Sequence, residues 1–306
     1  MDDRGLVVCD VGPRDGLQNE EVTLAPAVRA ELCDRLLAAG LARVEAVSFV
    51  SPKLVPQMAR AEEVMAAVHR RPGTVLAGLV LNERGLERAL AAEVDEVHYS
   101  FPVTDTFARR NQNTTVEQGI LTGHRVVRRC REAGVPVTVT LSVSFGCPFE
   151  GAVEASRVLG VIERVQEEPP DEVTPADTIG VGVPRQVREL VRGALELGVR
   201  RVGCHLHNTR NTGLANALAA VEAGARTLDA SIGGTGGCPF APRATGNIPT
   251  EDLVYLLHGM GIPTGAELEP LMDTSRWLGE QLGKELPSMV ARAGDFPPVS
   301  SAAHRR

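Results

Sequence analysis

The sequence predicts an α/β fold, a (β/α)8 TIM barrel with extra C-terminal helices, from three observations. Apolar runs typical of strands alternate with helical patterns eight times along the chain. Many of these runs are continuously apolar, as expected for parallel strands that are buried on both faces. The chain has 306 residues. A barrel of this kind needs about 250, so further helices can follow it.

The eight strand and helix pairs can be placed in order. Strands are predicted over 6–11, 43–49, 74–80, 96–101, 135–143, from 171, over 200–207 and over 227–232. Helices are predicted over about 26–39 and 61–70, from 84, over 115–133, 153–167, 187–196 and 214–223, and from 250. Gly12-Pro13 ends the first strand and Gly40 ends the first helix.

We expect a single catalytic domain over residues 1–306, because neither a linker nor an internal repeat divides the chain. The barrel is expected over about 6–262. A helical extension is expected over about 263–293, followed by a frayed tail over 294–306.

Composition and charge favour a cytoplasmic protein and argue against several other classes. The net charge of −7 argues against binding to nucleic acid. No apolar run is long enough for a membrane helix, and the polar N-terminus does not resemble a signal peptide. The six cysteines include no C-x-x-C pair, which argues against a disulfide framework. Only Lys53 and Lys284 are lysines, and neither lies on a predicted strand, so catalysis through a lysine imine is not expected.

Two histidines at the end of the predicted seventh strand are the first candidates for a functional site. Residues two apart on a strand point to the same side, so His205 and His207 project together. An isolated H-x-H is more often a pair of interior histidines than half of a metal site. Its position favours the metal site, because active sites of (β/α)8 barrels lie at the C-terminal ends of the strands.

Two more polar side chains near strand ends complete a candidate metal site. Asp15 follows the first strand and Asn247 follows the eighth. Two imidazoles, one carboxylate and one amide oxygen suit a six-coordinate magnesium or manganese ion that keeps positions open for substrate, and zinc is less favoured. Taken alone, Asp15 is equally consistent with a turn residue.

Three further residues are candidates for catalysis. Arg14 at the barrel mouth can stabilise a developing enolate or alkoxide. The alternative interpretation of Arg14 is that it forms a surface ion pair. Glu45 lies inside the second strand, where a charge is costly unless it is paired or catalytic. Cys238 lies in the glycine-rich segment 233–240, which is typical of a lid, and is either an acid–base group or an inert small residue.

These residues lie in segments that resemble hydroxymethylglutaryl-CoA lyase, a metal-dependent lyase family of (β/α)8 barrels. The resemblance extends from about Leu6 to Leu282. Its most specific segments read VGPRDGLQNE (11–20), SFVSPK (48–53), GCPFEG (146–151), DTIGVG (177–182), GGCPFA (236–241) and ATGN (244–247). The aspartate and the H-x-H alone would also fit synthases that condense acetyl-CoA with 2-oxo acids. The GGCP and GPRDGLQNE segments favour the lyase.

The resemblance implies a role for each candidate. The ligands of the divalent cation, Mg²⁺ or Mn²⁺, would be Asp15, His205, His207 and Asn247. Arg14 would stabilise the enolate of acetyl-CoA, Glu45 would support the metal and the base, and Cys238 would assist proton transfer from the lid. Cofactor binding is assigned to Gln18, Lys53 and Asp177. The expected partners are an acyl-CoA substrate and further copies of the chain, in a homodimer or higher homo-oligomer, with neither nucleic acid nor a membrane.

The implied reaction is a retro-Claisen cleavage of 3-hydroxy-3-methylglutaryl-CoA to acetoacetate and acetyl-CoA. The cation would bind the tertiary hydroxyl and a carboxylate oxygen, and Asp15 or His205 would remove the hydroxyl proton. Two alternatives stay open, namely the same cleavage of a different 3-hydroxy-3-substituted glutaryl-type acyl-CoA and a 4-hydroxy-2-oxo acid aldolase, which would need no CoA. A barrel without activity is a third alternative, but it predicts the loss of ligands, and all four are present.

The chain departs from the family pattern at three positions. Asn211 stands where a glycine is usual, Thr138 lies near the position of an arginine in some members, and Arg243 stands where many members have glycine. None belongs to the metal set, so these departures bear on the substrate and not on the reaction.

Overall fold

The computed structural model describes residues 5–237 and 246–296. Its strands, in chain order, are β1 Val7–Asp10, β2 Arg43–Ser48, β3 Val75–Val80, β4 Glu96–Pro102, β5 Val137–Ser142, β6 Gly146–Cys147, β7 Gly151–Ala152, β8 Glu172–Asp177, β9 Gly203–Leu206 and β10 Thr227–Ala230. Eight of these strands form a closed barrel in the order β1-β10-β9-β8-β5-β4-β3-β2. All pairings in the barrel are parallel, and β1 closes it by pairing with both β10 and β2. The predicted (β/α)8 barrel is confirmed.

The helices alternate with the barrel strands as predicted. They are α1 Pro26–Ala38, α2 Ala61–Ala67, α3 Glu83–Ala91, α4 Asp105–Gln112, α5 Val116–Ala133, α6 Ala155–Val165, α7 Pro184–Glu196, α8 Gly213–Ala223, α9 Thr250–Gly259, α10 Leu268–Leu282 and α11 Met289–Ala293. The last two lie within the predicted helical extension. No helix within 5–237 or 246–296 is both long and apolar enough to cross a membrane.

Two short elements after β4 and β5 were not predicted from the sequence. The first is α4, whose sequence DTFARRNQ buries only Phe107 and Ala108. A helix with so few apolar residues has no periodic pattern that could indicate it. The second is the hairpin of β6 and β7, with two residues in each strand. Both elements follow the C-terminal ends of barrel strands, and α4 contributes Phe107, Asn111 and Gln112 to the cavity at the barrel mouth.

The two faces of the barrel wall differ in chemistry, and β4 shows this most clearly. Tyr99 and Phe101 are buried and pack against α5, where a Cβ added at Gly119 would lie 2.6 Å from the Phe101 ring. On the opposite face of β4, Glu96, His98 and Ser100 point into the barrel. A (β/α)8 barrel is usually filled with branched apolar side chains. Here, much of the interior is charged.

The C-terminal extension packs on α1 through a close approach of two backbones. A Cβ at Gly40 would lie 2.2 Å from the carbonyl oxygen of Gly265, so only glycine fits there. The Glu267 amide donates to the Ala39 carbonyl at 2.7 Å. The Arg35 guanidinium stacks over the Trp277 ring at 4.5 Å. The single-domain organisation itself stays a prediction.

Candidate active site

A tight turn after β1 places Arg14 and Asp15 at the barrel mouth. Residues Gly12–Gly16 form one π-helical turn, in which the amides of Arg14, Asp15 and Gly16 all donate to the Val11 carbonyl oxygen. A Cβ at Gly16 would lie 2.3 Å from Thr235 Oγ1, so this position requires glycine. Single π-helical turns are frequent at functional sites.

Asp15, His205 and His207 form a compact cluster that can hold a metal ion. The two imidazole Nε2 atoms lie 3.1 Å apart. Asp15 Oδ2 lies 3.8 Å from His205 Nε2 and 3.7 Å from His207 Nε2. All three donor atoms converge on one point within the reach of a single cation. The strand β9 ends at Leu206, and His207 is held by an isolated bridge to Asn247.

Asp229 orients His205, and the sequence reasoning missed it. Its Oδ2 lies 3.1 Å from His205 Nδ1, and the two residues are direct partners in the pairing of β10 with β9. A carboxylate at Nδ1 places the proton there and leaves Nε2 free to bind a metal. The signal was present, because Asp229 is a charged residue inside a predicted strand, as Glu45 is.

Asn247 offers an oxygen that no other group in the described part of the chain uses. Its Nδ2 donates to Asp15 Oδ2 at 2.9 Å and to the Thr235 carbonyl at 3.1 Å, and these two acceptors fix the orientation of the amide. Its Oδ1 is buried and has no hydrogen-bond partner among the described residues. A buried acceptor without a donor is unfavourable. A divalent cation, which prefers oxygen and imidazole ligands, fits this donor set.

The surrounding charges keep Asp15 ionised. Burial opposes this, but the charges of Arg14 and the two histidines outweigh it and hold the pKa of Asp15 well below its usual range. Burial also opposes protonation of His205, yet its hydrogen bond to Asp229 and the charge of Asp15 raise the pKa of that imidazole. A metal-binding imidazole must be neutral, so a proton and a cation compete for His205.

Arg14 is held between two carboxylates. Its Nη1 lies 2.5 Å from Asp15 Oδ1, and its Nε donates to Glu45 Oε2. The other oxygen of Glu45 lies 2.8 Å from His98 Nδ1. The guanidinium is therefore fixed at the cavity wall beside the metal-binding cluster, where it can stabilise negative charge that develops on a bound substrate.

These groups line a cavity of about 230 Å³ at the barrel mouth. One wall carries Arg14, Asp15, His205 and His207. Another carries the hydroxyls of Ser100, Thr140 and Ser142, and the Ser100 and Ser142 oxygens lie 3.0 Å apart. Within the described part of the chain, Arg14 is the only arginine or lysine that lines this cavity.

Comparison with known proteins assigns the chain to a family. A sequence model of the family named HMGL-like matches residues 6–278. This chain belongs to the HMGL-like family. It is a carbon–carbon lyase of that family, as its relatives are.

Three similar HMGL-like proteins cover nearly the whole chain. It is 43% identical to an (R)-citramalyl-CoA lyase of Chloroflexus aurantiacus, over 97% of this chain and 98% of that protein. It is 39% identical to a mitochondrial hydroxymethylglutaryl-CoA lyase of Gallus gallus, over 94% and 96% of the two chains. A solved HMG-CoA lyase of Acinetobacter baumannii, in complex with coenzyme A and 3-methylmalate, has a TM-score of 0.90 and 38% identity and covers 96% of this chain and 98% of that one.

The remaining predicted site residues of this HMGL-like chain lie in different places. Gln18 lines the cavity, and its buried Oε1 has no hydrogen-bond partner among the described residues. Lys53 is exposed on the loop after β2, whose neighbours Val50 and Leu54 line the cavity. Cys238 lies outside the described residues, as does Arg243. The catalytic and ligand-binding roles of all these residues stay predictions.

Asp177 lies at the end of β8 but holds its own loop. Its two oxygens accept from the backbone amides of Val181 and Gly182, each at 2.9 Å. Burial raises its pKa although these amides lower it. Asp177 is not among the residues that line the cavity. Its contacts within 5–237 and 246–296 therefore indicate an anchor for the loop before α7, and its predicted part in cofactor binding stays untested.

Proposed function

We propose that this lyase cleaves 3-hydroxy-3-methylglutaryl-CoA to acetoacetate and acetyl-CoA by a metal-dependent retro-Claisen reaction. The observation that carries the proposal is the convergence of Asp15, His205 and His207 beside Arg14 in one cavity at the barrel mouth. Mg²⁺ or Mn²⁺ is the proposed ion, because the donor set is imidazole and oxygen without a thiolate.

The residues of the chain divide the chemistry between them. A bound divalent cation would supply Lewis-acid polarisation of the substrate's tertiary hydroxyl and carboxylate oxygens. Asp15 and His205 border that position and are the two candidates for accepting the hydroxyl proton. His205 could do so only through an Nε2 that is not bound to the cation. The C2–C3 bond then breaks, its electron pair passes into the enolate of acetyl-CoA, and the hydroxyl carbon becomes the ketone. Arg14 stabilises the enolate oxygen until the enolate carbon is protonated.

The cavity wall suggests how the acyl group is held. Arg14 is already paired with Glu45 and Asp15, so a substrate carboxylate has no unpaired cationic side chain to bind among the described lining residues. Neutral donors are available from Ser100, Thr140 and Ser142. We propose that these hydroxyls contribute to binding of the substrate's carboxylate.

A second candidate substrate is citramalyl-CoA, which the relative from Chloroflexus aurantiacus favours. This thioester also carries a tertiary 3-hydroxyl and a 3-methyl group, but its carboxylate is one methylene closer to the hydroxyl carbon. The same bond cleavage would give pyruvate and acetyl-CoA. Coenzyme A and 3-methylmalate in the Acinetobacter baumannii enzyme support a small hydroxydicarboxylate skeleton in this kind of cavity.

The test is an acetyl-CoA release assay on both thioesters, with Mg²⁺ or Mn²⁺ and again after chelation. We expect release that depends on added metal, with the larger kcat/KM on 3-hydroxy-3-methylglutaryl-CoA. A larger kcat/KM on citramalyl-CoA would make citramalyl-CoA the substrate and leave the proposed reaction type unchanged. Absence of release from either thioester, together with cleavage of 4-hydroxy-2-oxo acids without CoA, would replace the proposed function by an aldolase. A cytoplasmic location and a homo-oligomeric state stay part of this proposal.

A further inference from the structure

A row of alternating charges runs through the barrel interior from the site to the opposite end of the strands. We call it the charge ladder, and its members are Arg14, Glu45, His98, Glu96, Arg43, Glu172 and Arg201. Below the contact of Arg14 with Glu45, successive pairs lie at 2.8 Å (Glu45–His98), 3.4 Å (His98–Glu96), 3.3 Å (Glu96–Arg43), 3.3 Å (Arg43–Glu172) and 2.9 Å (Glu172–Arg201). Only its first two members line the cavity.

Glu45 is too fully engaged to accept a proton during catalysis. One of its oxygens accepts from Arg14 Nε and the other lies 2.8 Å from His98 Nδ1. Burial opposes its ionisation, but Arg14 and His98 outweigh this and lower the pKa of Glu45. Glu45 is thus a fixed carboxylate, and its influence on a substrate passes through Arg14.

His98 is placed as a cation between two carboxylates. It is 4% exposed, with Glu45 at its Nδ1 and Glu96 Oε1 at 3.4 Å from its Nε2. Burial would favour the neutral imidazole, but the two glutamates raise the pKa of His98 to about 10. We therefore expect both ring nitrogens to carry protons at neutral pH. The Nε2 contact with Glu96 is an ion pair, and Nε2 has no hydrogen bond among the described residues. Arg43 and Thr138 bind Glu96 and keep it in position from below.

The charge on His98 matters for Arg14 because charges in a buried row act on one another strongly. Without the charge on His98, Arg14 alone would neutralise Glu45. The guanidinium would turn further towards Glu45, and its electric field at the substrate would be largely cancelled. With the charge on His98, two cations share Glu45, and the positive charge of Arg14 acts more strongly on a substrate in the cavity.

We propose that His98 is a positioning residue for the proposed cleavage, holding Glu45 so that Arg14 presents its charge to the enolate. The inference rests on the proposed function and adds a role for a residue that does not line the cavity. Because enolate charge exists only in the transition state and after it, loss of His98 should lower kcat and leave KM for the thioester nearly unchanged.

The test compares His98→Leu, His98→Gln, Glu45→Gln and the double variant His98→Leu/Glu45→Gln. We expect His98→Leu to lower kcat on the order of tenfold to a hundredfold, less than the loss of one oxyanion donor, because the effect passes through Glu45 and Arg14. His98→Gln, which keeps a donor to Glu45, should recover part of the loss. The double variant should be no slower than the slower single variant, since His98 acts on Arg14 only through Glu45.

His124→Leu is the matched control. This histidine is also buried, lies on α5, and its Nε2 contacts the Arg164 carbonyl at 2.9 Å, away from the cavity. It should change thermal stability and leave kcat unchanged. Multiplying effects in the double variant, or an equal loss of kcat in His124→Leu, would assign His98 a purely structural role and overturn the inference.

A second readout separates this inference from the proposed function. Nitrogen-15 NMR of the imidazole of His98, assigned by its loss in His98→Gln, should show both ring nitrogens protonated at pH 8 in the wild type. A neutral ring at pH 8 overturns the inference regardless of activity. A wild type inactive on every thioester overturns the proposed function instead, and with it the role in catalysis assigned to His98.

Discussion

At the scale of single residues, the side chains of the candidate metal site are fixed by hydrogen bonds and ion pairs to neighbouring side chains. Asp15 accepts from Asn247 and pairs with Arg14, while Asp229 holds His205. Parallel strands explain why part of this was predictable. Alternation along β9 brings His205 and His207 to one side, and the end of β1 brings Asp15 opposite them.

The residues that were missed share one property. Asp229 and His98 each contact a partner on another strand: His205 lies on the strand adjacent to Asp229, and Glu45 lies on β2, two strands away from β4. Which residues of different strands face one another depends on the strand register and on the closure of the barrel. Neither can be read directly from the sequence. A lone histidine in a strand such as Val97-His98-Tyr99 therefore indicates no partner by itself.

Replacement of His205 by alanine should abolish turnover while the fold survives. The substitution removes one imidazole ligand and one candidate base, but its site is a cavity wall and not the apolar core. We expect a loss of kcat of more than about a hundredfold. His258→Ala, on the exposed face of α9 where Nε2 contacts Thr264 at 2.9 Å, should stay fully active. Activity of His205→Ala within tenfold of wild type would refute the assigned ligand and base.

Replacement of Asp229 by asparagine should weaken metal binding without moving any ligand. An amide can offer its N–H to His205 Nδ1, which selects the wrong tautomer and takes the lone pair from Nε2. The expected cost is about tenfold to a hundredfold in Mn²⁺ affinity. Isothermal titration with Mn²⁺ measures it directly. Unchanged affinity would mean that Asp229 has no part in orienting the ligand.

At the scale of elements, the loop after β9 explains a departure from the family pattern. Asn211 has φ of 60°, in the left-handed region that glycine adopts most easily and asparagine next. The glycine usual in the family and the asparagine of this chain therefore meet the same backbone requirement. The short helix α4 illustrates the opposite case, because its polar sequence carries no pattern by which it could be predicted.

A pair of substitutions at Asn211 tests this reading of the loop. Asn211→Ala should lower the free energy of unfolding by about 1 kcal/mol, because alanine resists positive φ. Asn211→Gly should be close to neutral, since glycine accepts this conformation at no steric cost. Urea denaturation of the two variants measures the difference. Equal stability of the two would show that the loop relaxes to a different conformation.

At the scale of the whole molecule, the alternation of apolar runs was sufficient to predict the barrel, because every βα unit repeats the same pattern. The chemistry inside the barrel was harder to predict. Its interior carries the charge ladder, and two more buried carboxyl groups, Asp10 on β1 and Glu251 on α9, lie near the turns that lead to the site. Asp10 accepts from the Gly12 amide at 2.7 Å, and Glu251 accepts from the Gly233 amide at 3.0 Å.

These two carboxyl groups should make global stability fall as the solution becomes more alkaline. Burial raises the pKa of Asp10 and of Glu251 to about 7 in each case, despite hydrogen bonds that lower it. The folded state therefore binds more protons than the unfolded state between the ordinary carboxyl pKa and pH 7. Their contribution to stability is fully present below the ordinary pKa and is lost as pH rises through about 7.

Thermal melts of wild type and Asp10→Asn between pH 5 and 8 measure this effect. The wild type should lose melting temperature across the range, and the variant should lose less, because one of the two groups no longer titrates. His98, whose pKa is raised from 6.5 to about 10, acts in the same direction from about pH 6.5 upward and is common to both proteins. Parallel melting curves of the two proteins against pH would refute the assignment to Asp10.

The pairing of β1 with β10 also has a consequence for how the protein is made. Asp15 follows the first strand synthesised, whereas His205 and His207 lie on or just after the seventh barrel strand. The last barrel strand, β10, pairs with both β1 and β9 and so closes the ring between them. During translation the early strands have an open edge that is prone to wrong pairing. Capture of a metal ion by all three side chains cannot precede ring closure, so the ion would secure the chain only once its N-terminal and late segments have met.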